Sequence, residues 1–303
     1  MLKPIFKNEL EQTIFEKDGY VIVRKLIPPG VVKELKALYI KYEKEHYIDH
    51  HGMSNSSHIN NAEALFDMYQ QMKLLVTKYA NEHLINYKFF VGGFLVKKSG
   101  EDSFFDLHQD RTLVEEPQYC SLNFWVSLDD INANNGRLFV LKGTPRLQPY
   151  IRTAPEYSMK WNQIKKTAPL FYTYIDTEAG DVVLFNHATF HGSEKNRSGH
   201  NRMALAMGVY SVDTPLSIYY KDSNTPPDKA ELYLVDTQIL TSLPQLGGRP
   251  PEKSFSRYVS LGTEWNRVVT PKEFSDFMMQ QLSLKEKITV YGRKIKSVFQ
   301  NKD

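Results

Sequence analysis

The 303 residues carry 38 Lys and Arg against 35 Asp and Glu, a formal charge of +3, with 41% apolar and 13% aromatic residues. That length and apolar content suit one large domain or two small ones with a substantial core. The near-neutral balance lacks the gathered basic footprint of a nucleic-acid binder.

The opening stretch, MLKPIFKNELEQTIFEKDGY, is too charged for a secretory leader, and no apolar run is long enough to cross a bilayer. After the turn pair Asp18-Gly19, YVIVRKLI reads as a strand ended by Pro28-Pro29-Gly30. Val31, Leu35, Leu38, Tyr39 and Tyr42 then recur at helical spacing and predict an amphipathic helix over 31–45. HYIDHHGMSNSSHINN follows. Its His46, His50, His51 and His58 have no regular ligand spacing, so the segment reads as a loop. A second helix is expected over 61–83, on Ala64, Leu65, Met68, Met72, Leu75, Val76 and Tyr79, with His83 at its end.

From Tyr87 to Tyr210 the texture changes to short aromatic and β-branched runs between turn clusters: KFFVGGFLVKK, SLNFWVSLDD, GRLFVLKG, GDVVLFNH and RMALAMGVYSV. With helices gathered before them, these runs predict a mainly β fold with flanking α: a jelly roll, the double-stranded β-helix of cupin type, with helices outside. The single cysteine, Cys120, reads as a buried structural thiol, and its lack of a disulfide partner suits a reducing cytoplasm.

Beyond residue 211 the chain turns proline-rich and then helical. Thr270-Pro271-Lys272-Glu273 is a capping box ahead of Phe274, Phe277, Met278, Gln281 and Leu282. The expected layout is one domain over 1–303: a helical part to 85, a jelly-roll core over 86–215, and an extension over 216–303 packed on that core. In QLSLKEKITVYGRKIKSVFQNKD, Leu284, Ile288, Tyr291, Ile295 and Val298 fall near one helical face, with Lys285, Lys287, Arg293, Lys294, Lys296 and Lys302 around it. Gly292 weakens such a helix by about 1 kcal/mol. Two readings stay open: a terminal helix whose apolar face docks on the barrel, or a peripheral contact with an anionic membrane surface.

The chemistry starts from SFFDLHQDRT, which sets His108 and Asp110 one residue apart. On an extended strand positions i and i+2 share a face about 6.6 Å apart, so both side chains can close on one ion. Imidazole plus carboxylate is the ligand mix of the facial triad of non-haem Fe(II), which needs one more histidine. Alone, so short a pair reads as two polar residues alternating on a solvated strand face, and the rest of the chain has to decide. GDVVLFNHATFHGSEKNRSGHNRMALAMGVY supplies the third candidate: a strand ending in His187 or His191, a polar loop containing His200, and Arg202 opening the next strand eleven positions after His191. If the two strands form a hairpin, those ends lie side by side, and the planar guanidinium suits a carboxylate.

His108-Gln109-Asp110, LNFWVSLDDINANNGRLFVLKGTPR, His191-Gly192-Ser193 and Arg202 together resemble the phytanoyl-CoA dioxygenase family of Fe(II)/2-oxoglutarate oxygenases. The resemblance runs from Phe15, in FEKDGYVIVRKLI, to Tyr210. It implies His108, Asp110 and His191 as iron ligands, Arg202 and Ser193 on the distal carboxylate of 2-oxoglutarate, and Gln109 and Trp125 in or beside the cofactor pocket. It also implies O2-dependent hydroxylation of an unactivated C–H bond of a small acyl, amino-acid or natural-product type molecule, with succinate and CO2 as co-products. Related halogenases replace the carboxylate ligand; this chain keeps it. Where the family carries Gly-Ser-His after Asn-Gly-x-Leu, this chain has Gly143-Thr144-Pro145, so that histidine's role has no counterpart.

Gln109 alternates away from the ligands on an ideal strand, and Trp125 suits ordinary core equally. Two rival readings remain: a cupin-like metal-dependent isomerase or hydrolase without 2-oxoglutarate, and a non-catalytic jelly-roll binding protein. The substrate pocket is expected among loops 46–60, 99–107 and 146–179 and the tail after 211, with Phe104, Phe105, Trp161, Phe171 and Tyr172 as candidate lining.

Overall fold

The computed structural model describes residues 2–46, 52–147, 151–155, 162–244, 246, 248–262 and 268–300. His50, His51 and Trp161 lie outside these residues, as do the side chains of His58, Ile295, Lys296 and Val298.

Helix α1 (Glu9–Asp18) is capped by Asn8, whose side chain accepts from the N–H groups of Leu10 and Glu11, and it ends at Gly19 in the left-handed region. The sequence reading missed it because it buries only Gln12 and Phe15, too few to show as a stripe. Strand β1 (Tyr20–Val23) is shorter than expected, and Lys25 turns the chain away at φ 53°. Helices α2 (Pro29–Glu45) and α3 (Ala62–His83) match their periodicity.

Five strands join β1 in one antiparallel sheet: β2 (Met53–Asn55), β3 (Tyr87–Lys97), β5 (Ser121–Ser127), β9 (Val182–Asn186) and β11 (Arg202–Ser211), in the order β1-β9-β5-β11-β3-β2. Four short strands form a second antiparallel sheet: β4 (Phe105–His108), β6 (Leu138–Val140), β8 (Thr173–Ile175) and β10 (His191–Ser193), in the order β4-β10-β6-β8. Period-two alternation assigns the layers. On the large sheet Leu122, Phe124, Leu184, Leu205 and Met207 pack under Leu35, Met68, Met72 and Val76 of the helices. The intervening Trp125, Val183, Phe185 and Ala204 meet Leu138, Val140 and Ile175 of the small sheet. This is the expected mainly β architecture, a jelly roll with helices on one outer face.

A third sheet was not anticipated. β7 (Ala154–Pro155), β12 (Ser217–Lys221), β13 (Lys229–Leu234) and β14 (Phe255–Ser260) are ordered β14-β13-β12-β7, so much of the extension is strand rather than helix. These strands run to six residues at most, and the proline-rich turns between them dominate the local composition.

After the short helix α4 (Thr237–Ser242), α5 (Pro271–Gln281) begins at the predicted capping box of Thr270 and Glu273. α6 (Leu284–Gln300) follows. Phe274, Met278, Leu282 and Val290 cluster with Phe139, Leu141, Phe171 and Tyr172 and so cover the outer face of the small sheet. The reading in which the apolar face of α6 docks is corrected over its described side chains. Leu284, Ile288 and Tyr291 point outward, and the helix attaches by its other side. No helix among the described residues is long and apolar enough to cross a membrane.

Candidate active site

Register places the two histidines. β10 pairs β4 with His191 opposite His108, and their ring centroids lie 4.2 Å apart. Asp110 lies past the end of β4, where its backbone N–H donates to the His187 carbonyl at 2.9 Å. The hairpin premise is corrected: His191 is on the small sheet and Arg202 opens β11 of the large one, so the two are not neighbouring strands of one ribbon.

One ligand atom from each of His108, Asp110 and His191 falls within 4.8 Å of the others, the one such histidine–carboxylate group among the described residues. The hydrogen bonds decide which atoms face inward. His108 Nδ1 lies 2.8 Å from the Asp106 carbonyl and His191 Nδ1 2.9 Å from the Thr189 carbonyl. A carbonyl only accepts, so both Nδ1 atoms carry the proton and both Nε2 atoms present lone pairs. Each Nε2 is 3.8 Å from an Asp110 oxygen, too long for a hydrogen bond and suited to an ion held among them.

Asp110 Oδ2 accepts from Asn123 Nδ2 at 2.7 Å. Burial alone would raise this carboxyl, but His191, His187, His108 and Arg152 around it outweigh burial and hold it below the usual carboxylate range. Burial, with His108 alongside, pushes His191 down to about 4, so its imidazole is neutral at physiological pH.

Arg202 is 2% exposed. Its Nη2 donates to the Gly136 carbonyl at 2.9 Å, while its Nε has no hydrogen-bond partner among the described residues. Burial lowers the guanidinium to about 10, which leaves it charged. A buried cation with an unpaired donor is costly on its own, and a carboxylate beside it removes that cost. Gly136 is required here: its φ is +84°, and a Cβ would lie 2.5 Å from Lys97 Cδ and 2.7 Å from the Glu194 carbonyl.

Trp125 is buried with the Arg202 guanidinium 5.8 Å from its ring centroid. Ser193 is buried two residues beyond His191 on β10. Gln109 is buried and donates through its side-chain amide to the Ala188 carbonyl at 2.6 Å, which braces the turn before His191. His187 stays outside the triad, its Nδ1 2.7 Å from Ser121 Oγ. Of the remaining histidines, His83 pairs with Glu11 at the end of α3, and His200 is an exposed loop residue.

The sequence model of the phytanoyl-CoA dioxygenase (PhyH) family matches residues 15–204, a stretch that contains all three converging ligands and Arg202. The chain belongs to the phytanoyl-CoA dioxygenase family. No curated protein sequence matches it. Among solved structures, the non-heme alpha-ketoglutarate-dependent carbocyclase SnoK from nogalamycin biosynthesis is 17% identical, with a TM-score of 0.53 over 69% of this chain and 86% of that one. The epimerase SnoN, solved with Fe3+, alpha-ketoglutarate and nogalamycin RO, is also 17% identical, with a TM-score of 0.53 over 72% and 87%. These likenesses support the jelly-roll fold.

Within the family match, one buried group escaped the sequence reading. Arg152, 1% exposed, donates through Nε to the Asp110 carbonyl at 2.5 Å and through both terminal nitrogens to Glu116 at 2.8 and 2.7 Å. Its backbone N–H also donates to Thr112 Oγ1. The pair thus clamps the backbone that carries Asp110. Arg152→Ala strands Glu116 and is expected to destabilise the fold by roughly 3–5 kcal/mol. Urea denaturation is the measurement, and a loss below 1 kcal/mol would show that the pair is not the clamp described.

A cavity of about 550 Å³ opens beside Asp110, walled by Phe90, Leu95, Asn123 and His187. Its floor needs Gly208, where a Cβ would lie 2.1 Å from the Phe90 ring. Asn55 and Ser57 from the 46–60 loop line it, as do Leu240 and Leu243 from the tail, whereas no described residue of loops 99–107 and 146–179 does. Phe171 and Tyr172 belong to the outer cluster. Phe104 stacks near Phe139, and Phe105 lies 4.5 Å from the His108 ring.

Proposed function

We propose that the protein is a non-haem Fe(II)- and 2-oxoglutarate-dependent dioxygenase that hydroxylates an unactivated C–H bond of a small molecule and releases succinate and CO2. The observation that carries this reading is the pairing of two inward lone pairs and one carboxylate with a buried guanidinium whose Nε lacks a partner. The neighbour SnoN, which binds both iron and alpha-ketoglutarate, supports the cofactor pair.

In this reading His108, Asp110 and His191 hold the iron. Bound iron and 2-oxoglutarate supply the O2-activating chemistry, and the protein supplies geometry and exclusion of side reactions. Carbonyl hydrogen bonds at each Nδ1 fix both imidazole rings, and Asn123 fixes one Asp110 oxygen. Arg202, backed by the Trp125 ring, orients the distal carboxylate of 2-oxoglutarate, with the hydroxyl of Ser193 on β10 as its second partner. Gln109 acts at one remove, by bracing the turn before His191.

The substrate sits in the cavity beside Asp110, where Phe90, Leu95, Leu240 and Leu243 offer apolar surface and Asn55, Asn123 and His187 offer polar groups. Its charged lining residues are Asp110 and Arg111; with Asp110 assigned to the iron, Arg111 is the charge left to meet a substrate, which favours a molecule carrying an acidic group over a cation. The buried Cys120, whose thiol burial pushes far up, suits a cytoplasmic setting.

The test is succinate release. Protein supplied with Fe(II), 2-oxoglutarate and O2 is expected to form succinate slowly without substrate, and faster with a suitable small acid. Intact 2-oxoglutarate in both conditions would leave the isomerase, hydrolase or binding-protein readings standing instead.

A further inference from the structure

Helix α6 uses only one of its sides to hold the protein. On that side Glu286 accepts from Lys142 Nζ at 2.7 Å, Val290 is 3% exposed, and Arg293 donates to the carbonyls of Leu170 and Tyr172 at 2.9 and 3.0 Å while lying over the Tyr174 ring. Positions 286, 290 and 293 are i, i+4 and i+7, one continuous face. Half a turn away, Leu284, Ile288 and Tyr291 repeat the same spacing and are 77%, 64% and 55% exposed. At 100° per residue Lys285 flanks this apolar stripe on one edge, and Lys287 and Lys294 flank it on the other. Lys294 Nζ lies 6.0 Å from the Tyr291 ring centroid. The only acid of the helix, Glu286, is already paired with Lys142 on the docked side, so the outward side is apolar along its middle and cationic along both edges.

We propose that α6 is an interfacial helix that seats the protein on an anionic phospholipid surface. Leu284, Ile288 and Tyr291 enter the boundary between headgroups and acyl chains, and the lysines extend along it so that their ammonium groups meet lipid phosphates and carboxylates. A second copy of the chain fits this stripe less well. A two-fold contact would set the edge lysines of each helix against those of the other, like charge against like. The inference is independent of the chemistry assigned to the barrel.

The experiment uses the full chain with phosphatidylcholine vesicles, with and without phosphatidylserine, at low and high salt. Wild type is expected to co-sediment with the serine-containing vesicles at low salt and to be released as salt rises. Leu284→Ser/Ile288→Ser/Tyr291→Ser and Lys285→Glu/Lys287→Glu/Lys294→Glu should each lower the partition coefficient by about ten-fold or more. The serine variant changes exposed side chains, whereas Lys287 and Lys294 of the charge variant are partly buried, so an unchanged melting temperature of each variant is the check that its fold is intact. Absence of wild-type binding to anionic vesicles, or binding that both variants retain, would overturn the proposal. Light scattering covers the rival occupant: a wild-type dimer that the serine variant converts to monomer, with no vesicle binding, would assign the stripe to a second copy.

Discussion

Alanine at His108, Asp110 or His191 is expected to abolish Fe(II) binding and succinate formation. Each supplies one of three atoms converging on a single point, and the remaining two cannot hold the ion in a defined geometry. Asp110→Ala also removes the one anionic group of the set, which balances charge on the metal. The loss should exceed the roughly 10- to 100-fold typical of residues that only support metal ligands. His187→Ala should be much milder and fall within that range, because its ring bonds Ser121 and lies outside the triad. Titration with Fe(II), or with Co(II) followed by its visible spectrum, reads binding directly and succinate reads turnover. A silent His187 variant beside an active His191 variant would reverse the ligand assignment.

Arg202→Ala is expected to raise the 2-oxoglutarate requirement by roughly 10- to 100-fold, the scale of losing a hydrogen bond to a charged group worth about 1.5–3 kcal/mol. Fe(II) binding should stay nearly intact, because Arg202 is not one of the converging ligand atoms. Arg202→Lys should recover only part of the loss: an ammonium offers a point charge where a planar fork is wanted, and it cannot keep both the Gly136 carbonyl and the carboxylate in place. Equilibrium binding of 2-oxoglutarate to the metal-loaded variants separates this from a folding defect. Unchanged affinity in both variants would remove the assignment of Arg202 to the cofactor.

His108 and Asp110 were legible because their relation is local, two positions on one extended segment. Arg202 was legible through its spacing from His191 and the family resemblance, yet the hairpin used to connect them was wrong. Period-two alternation tells which residues share a face, but not which of two facing sheets a three-residue strand such as β10 will join. Arg152 was hidden for a different reason. It sits in a segment without periodicity, and its partner Glu116 lies 36 positions earlier, so nothing local marks it as a buried pair. In α6 the stripe of Leu284, Ile288 and Tyr291 was read correctly as a stripe, but its direction was set by long-range contacts of Glu286 with Lys142 and of Arg293 with two distant carbonyls. Periodicity reveals that a helix has an apolar side. It does not reveal whether a neighbour is there to meet it.

The cavity beside Asp110 takes its walls from two separately replaceable sources. Phe90, Asn123 and His187 come from the stretch that matches the family, whereas Leu240, Leu243 and Pro244 come from the tail beyond residue 204. Exchanging the tail segment 237–244 for one of different bulk would change which molecules are admitted without touching any proposed iron ligand or Arg202. Under the proposed function the iron site and the substrate-selecting wall can therefore diverge at different rates, and a relative with the same triad and a different tail need not share this protein's substrate.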